Sequence, residues 1–114
     1  MEKTKHLAIR QWADDDRPRE KMLSKGKAAL SNAELLALLI GNGTRNMSAV
    51  ELCQEILKLV NNDIVALGRL TEKDLMQVKG IGPAKAGTLA AAMELGRRRR
   101  AAESRGHDRL RKPN

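Results

Sequence analysis

Apolar residues in this chain gather in blocks whose edges carry polar caps or glycine. The densest, "NAELLALLI" from Asn32 to Ile40, is apolar nearly all round, which predicts a helix buried at the centre of the fold. Ser31 and Glu34 bracket its first turn as a capping box: the serine hydroxyl accepts from a free amide while the glutamate reaches back. Gly41 stops it. Ser48 and Glu51 form a second box, and behind it Ala49, Leu52, Cys53, Ile56, Leu59 and Val60 recur at spacings of three and four. That is one face of a helix, ended by Asn61-Asn62. Asp63 to Leu67 reads as a short turn closed by Gly68, and Thr71 with Asp74 opens a short helix to about Gln77. Pro83 suits the first position of a long helix that runs to about Arg100. At the front, residues 1–15 are polar and predict a loose arm anchored by Trp12. Asp16-Arg17-Pro18, with Gly26 as a left-handed stop, predicts a short helix over 17–25. No alternating strand pattern appears, so the chain is expected to be all-α.

The stretch "VKGIGPAK", Val78 to Lys85, has a chemistry of its own. Gly80 can take the positive φ that ends a helix, and Gly82 lets an outside group approach the backbone without a Cβ in the way. Pro83 then starts the next helix and leaves the amides near Ala84 and Lys85 unpaired. Free amides at a helix N-terminus attract anions, and Lys79 and Lys85 add charge. This predicts a phosphate cradle of helix, glycine turn and helix. It is not a P-loop, because no G-K-[ST] ending follows, nor a dinucleotide fingerprint, because no strand precedes it and the third glycine is missing. Sliding the chain by 39 residues lays Gly41 and Gly43 over Gly80 and Gly82, which suggests a tandem repeat of the unit. Thr44 and Arg45 follow the first glycine pair, and only Arg45 supplies charge there. Glycine turns are also common plain connections, and Leu-rich helices can match by coincidence, so the structural reading stays open beside the binding one.

Charge adds a direction. The 114 residues carry 22 Lys+Arg against 14 Asp+Glu, a net +8 that favours polyanionic partners. From Arg97 onward eight basic residues face two acidic ones, so +6 of that charge lies in the last stretch. There is no Phe or Tyr and a single Trp, which argues for contact with backbone phosphates over base stacking. The apolar face of the last helix, Ala86, Leu89, Ala90 and Met93, extends onto Arg97 and Arg100. Arg97, Arg98, Arg99 and Arg100 are therefore either a solvated helix end, favoured by the dipole, or a basic contact surface. The single cysteine suits a reducing, cytoplasmic setting, and no apolar run approaches the ~20 residues of a membrane span. His6 and His107 are isolated near opposite ends, Cys53 lies on an apolar helix face, and no nucleophile has a base at a suggestive spacing. No catalytic residue, metal site or cofactor is expected in this chain.

At the level of motifs, Arg17-Pro18-Arg19-Glu20, the Leu-Ser-x-x-Glu-Leu-Leu-Ala run from Leu30, the Gly-x-Gly-Thr turn and the Gly-Ile-Gly-x-x-Lys-Ala hairpin resemble the N-terminal, UPF0758-type region of the bacterial RadC family. The likeness covers roughly Ile9 to Arg99, and it departs at Trp12-Ala13, where the family usually has Trp-Pro. The resemblance implies tandem helix-hairpin-helix units over 16–100, with 101–114 a basic tail or linker into a JAB/MPN domain absent here. That second domain is similar to zinc metallopeptidases, and zinc and hydrolase activity are expected only there. The family carries a DNA-repair label. Carried over residue by residue, the hairpin places Gly80, Ile81, Gly82, Ala84 and Lys85 toward phosphate, and Gly41, Gly43 and Thr44 in the first turn. The expectation is a weak, sequence-independent DNA-binding module, each hairpin touching one or two phosphates, with a salt slope of about −2 to −4. The alternative is a protein-interaction or regulatory module that positions the missing domain.

Overall fold

The three capping signals act where the spacing puts them. In the computed structural model, Glu34 N–H donates to Ser31 Oγ (3.1 Å) and Ser31 N–H to Glu34 Oε1 (2.8 Å), opening α2, Asn32–Ile40. Ser48 and Glu51 exchange the same pair of bonds at 2.9 and 3.2 Å to open α3, Ala49–Lys58. Thr71 and Asp74 repeat the motif for a single turn, α5, Glu72–Leu75. Asp63 accepts from Val65 and Ala66 and starts α4, Ile64–Gly68. Asn61 and Asn62, at φ of 51° and 61°, turn the chain after α3. The long α1, Glu2–Lys25, and α6, Pro83–Arg111, begin and end the chain, and Lys27–Ala29 forms one 3₁₀ turn. Backbone is described for residues 2–111 and side chains for residues 13–106; among these there is no strand, and the fold is all-helical.

The centre of the core is α3. Ala49, Leu52, Cys53 and Ile56 are fully buried against Leu36, Ala37 and Ile40 of α2, Leu75 of α5, and Ala86 and Leu89 of α6. The apolar block of α2 is thus not buried all round. Its stripe Ala33, Leu36, Ala37 and Ile40 faces the core, while Leu35 and Leu39 remain 39% and 42% exposed because no described residue covers that side. On α3, Leu57 is buried where periodicity favoured Leu59, which is 46% exposed beyond the end of the helix.

Both ends of the chain are more helical than expected. Where sequence suggested a loose arm over 1–15 and a helix starting near Arg17, α1 runs from Glu2 through Pro18. An interior proline forfeits one helix bond and costs about 3 kcal/mol. Tertiary contacts offset this: Pro18 is buried, Asp15 accepts from two backbone amides of the body, and Lys21 Nζ meets Glu34 Oε1 at 2.9 Å. These three positions recur every third residue, on one face of the helix. Trp12, expected to anchor the arm, lies outside the described side chains. At the other end α6 continues past Arg100 to Arg111, because Ala, Arg and Glu are strong helix formers and no proline intervenes.

Two outcomes follow from this packing. Ile56→Ala should lower unfolding free energy by about 2–5 kcal/mol in urea titrations, and Leu35→Ala by no more than about 0.5. The Glu34 carboxyl sits below its ordinary value of 4.5, held down first by the Ser31 amide and then by Lys21. Its contribution is complete above pH 4.5 and is lost as pH falls through the lower folded-state value, so Glu34→Gln should flatten the acid limb of the stability curve.

Candidate functional site

Two glycine turns join helices, but Gly41 caps α2 directly, whereas Gly80, expected to end a helix, lies five residues past the end of α5 at Leu75, where Met76 is the cap. In the first, Gly41 (φ 82°) ends α2, its N–H donating to Ala37 O at 2.9 Å. Gly43 runs so close to the next helix that a Cβ there would overlap the Met47 carbonyl and lie 2.7 Å from Ala49 N. Thr44 builds the loop: its amide donates to Met47 O (2.7 Å) and its hydroxyl accepts from the Asn46 and Met47 amides. In the second turn Gly80 has φ 103°, Ile81 N–H donates to Val78 O (3.0 Å), and the Gly82 carbonyl accepts from Ala86 N–H (2.9 Å) to start α6. Gly41 and Gly80, which the 39-residue shift overlays, therefore share a positive φ.

The turns interlock. A Cβ on Gly80 would lie 2.6 Å from Thr44 Cγ2 and 3.0 Å from Leu52 Cδ2, so the second turn rests on the first with only hydrogen between. Lys85 reaches back across the junction, its Nζ donating to Gly43 O at 3.4 Å. Ile81 is 4% exposed and its amide is used, so this residue belongs to the core and offers nothing outward.

The two turns differ in what their amides meet. Gly43 N–H donates to Asp15 Oδ2 (3.0 Å) and Ala49 N–H, the first amide of α3, to Asp15 Oδ1 (2.8 Å). The carboxylate of α1 fills the place an external oxyanion would take. At the second turn no such group arrives among the described residues. Gly82, Pro83 and Ala84 are exposed, a Cβ on Gly82 would touch nothing within 4 Å, and the amides of Gly82, Ala84 and Lys85 have no acceptor among the described residues. Lys79 stands exposed just before this turn, Arg45 stands exposed in the first turn, and the Lys85 ammonium keeps two donors beyond its bond to Gly43. Asp15 was invisible to motif reading; its one signal was an acidic run, Asp14-Asp15-Asp16, in a basic chain.

The arginines of α6 are largely paired. Arg97 grips Glu94 through two bonds of 2.9 Å, Arg98 shares the same carboxylate, and Arg99 meets Glu103 at 2.7 Å. The Arg97 and Arg98 guanidiniums hold the Glu94 carboxyl down to about 2. Arg100 has no carboxylate partner among the described residues. No group of three His, Cys, Asp or Glu side chains that could hold a metal occurs among the described residues, and no described helix is long and apolar enough to cross a membrane. The side chains of His6 and His107 lie outside the described ones. Burial pushes the Cys53 thiol up to about 12, with the Lys85 charge pulling the other way, so the thiol stays protonated near neutrality.

Asp15→Ala should cost about 1–3 kcal/mol in urea unfolding, because it leaves two amides without their charged acceptor, and should speed hydrogen exchange at Gly43 and Ala49 selectively. Cys53 should resist alkylation by iodoacetamide in the native protein and react at an ordinary rate in denaturant.

Comparison with known proteins gives this architecture a family. The family model described as UPF0758 N-terminal matches residues 9–87. A UPF0758 protein of Flavobacterium johnsoniae is 54% identical over 96 residues, covering 84% of this chain and 42% of its own length. One from Porphyromonas gingivalis is 46% identical over 93 residues, covering 81% and 41%, and one from Alkaliphilus metalliredigens is 38% identical over 106, covering 93% and 46%. The chain thus spans less than half the length of the relatives it matches. No solved structure matches it. The glycine turns and capped helices described above all fall within the matched region, and the chain belongs to the UPF0758 family through its N-terminal domain.

Proposed function

We propose that this segment is a non-catalytic DNA-binding module that holds backbone phosphates at the second glycine turn. The observation that carries the proposal is the contrast between the turns. Asp15 satisfies the amides of Gly43 and Ala49 in one, whereas those of Gly82, Ala84 and Lys85 in the other have no acceptor among the described residues. A phosphate oxygen is the natural acceptor for amides at the start of a 29-residue helix, beside Lys79 and the spare donors of Lys85. Recognition through phosphates alone carries no sequence information, so binding is weak and sequence-independent. The DNA-repair label and the metallopeptidase-like chemistry that the resemblance implies belong, on this reading, to the longer family proteins, with any zinc held outside this segment.

With Asp15 on the first turn, one hairpin rather than two engages the duplex. Its share of the salt dependence is about −1 to −2 in log K against log salt, at roughly −0.9 per phosphate. The test is fluorescence anisotropy with a short duplex at low and rising salt, comparing the wild type with Gly82→Val/Lys79→Glu. Gly82 has room for a side chain and Lys79 is exposed, so helical content should be unchanged. Affinity should fall about tenfold or more at low salt, and the slope should flatten by one to two. Equal affinity and equal slope for the two proteins would remove the hairpin from the interface. Failure of both to bind would remove DNA.

A further inference from the structure

An apolar groove of about 380 Å³ runs between α2, α4 and α6, and it shares no residue with the glycine turns. Leu39, Ile64 and Val65 form its wall at 42%, 61% and 51% exposure, a contiguous patch rather than scattered surface residues. Gly68 and Gly96 line it from α4 and α6, and a Cβ on either would meet nothing within 4 Å. A glycine within a helix costs about 1 kcal/mol against alanine, and nothing inside the fold needs these two to be small. Their effect is to let another backbone come close. Arg100 lines the same groove. Of the four consecutive arginines it is the one whose guanidinium meets no carboxylate among the described residues; Arg97, Arg98 and Arg99 are satisfied by Glu94 and Glu103.

The geometry points to a protein-docking site whose occupant is an amphipathic helix carrying an acidic residue at one end. The helix lays aliphatic side chains, spaced i, i+3, i+4 and i+7, over Leu39, Ile64 and Val65, with its axis drawn close by the glycines. Its carboxylate meets Arg100, where the apolar surroundings strengthen a guanidinium–carboxylate fork. Charge complementarity selects this partner: a purely apolar segment leaves Arg100 unpaired at the edge of the contact, and a basic one is repelled. The groove is open to solvent, so it can accept a long segment. This inference is independent of the phosphate site.

The test is an NMR titration of the methyl groups of Leu39, Ile64 and Val65 with a synthetic amphipathic peptide of about 15 residues ending in glutamates. A counterpart ending in lysines serves as the charge control. The acidic peptide should shift these methyls saturably and bind about tenfold or more tightly than the lysine peptide. Arg100→Glu should invert that preference. Gly96→Trp, whose Cβ would meet nothing within 4 Å and whose ring would enter the groove, should abolish binding, and Gly87→Trp, equally open at Cβ but outside the groove, should leave it intact. The proposal is overturned if neither peptide shifts the groove methyls at millimolar concentration, if both bind equally, or if binding survives Gly96→Trp. It is also overturned if the methyls shift with protein concentration alone, which would make a second copy the occupant, or with decanoate but not peptide, which would make it a small-molecule site.

Discussion

The approach of Gly80 to Thr44 and Leu52 governs how this domain presents itself. With hydrogen in place of a side chain, the second turn settles on the first at a distance no Cβ allows. Three things follow from that seat. Ile81 drops into the core beside Leu75 and Leu89, Lys85 comes within 3.4 Å of the Gly43 carbonyl, and the amides of Ala84 and Lys85 are left without an acceptor among the described residues. The positive φ of Gly80 and its lack of bulk are separate requirements at a single position, so conformation and packing select the same residue.

The second organising contact is electrostatic. Asp15 accepts from Gly43 and Ala49, which lie on either side of the first turn, and so joins α1 to the start of α3. A carboxylate at a helix N-terminus is favoured by both the free donors and the dipole. The same physics that makes the second turn a candidate for phosphate makes the first a docking point for the protein's own helix. The two glycine turns thereby differ in their surroundings: the first is bonded to Asp15 within the fold, and Gly82 to Ala84 of the second are exposed. The Lys21–Glu34 pair extends the same attachment nearly two turns further along α1.

The surface divides along comparable lines. Exposed arginines on a lone helix end look alike in composition, yet pairing at i+3 and i+4 with Glu94 and Glu103 quiets three of them and leaves Arg100 beside exposed Ile64 and Val65. Apolar surface next to an unpaired cation is a more specific feature than a run of positive charge. It also explains why Leu39, in the most hydrophobic block of the chain, is not fully buried: its stripe of α2 forms one side of the groove.

Local interactions were legible in the residue order. The caps at Ser31, Ser48 and Thr71 join positions three apart, and the helix stop at Gly41 and the positive φ at Gly80 each need only one residue's conformation, so both could be read without knowing what packs where. Helicity, the two turns and the buried stripe of α3 were determined at that level. The reach of α1 through Pro18 was not, because what offsets the proline cost comes from partners far along the chain. Asp15 finds its amides 28 and 34 residues away, and Lys85 its carbonyl 42 residues away. The pairing of the arginines is local to α6, but which turn is occupied depends on bringing such distant groups within 3 or 4 Å. No periodicity encodes that distance; only the packed arrangement of α1, α3 and α6 decides it.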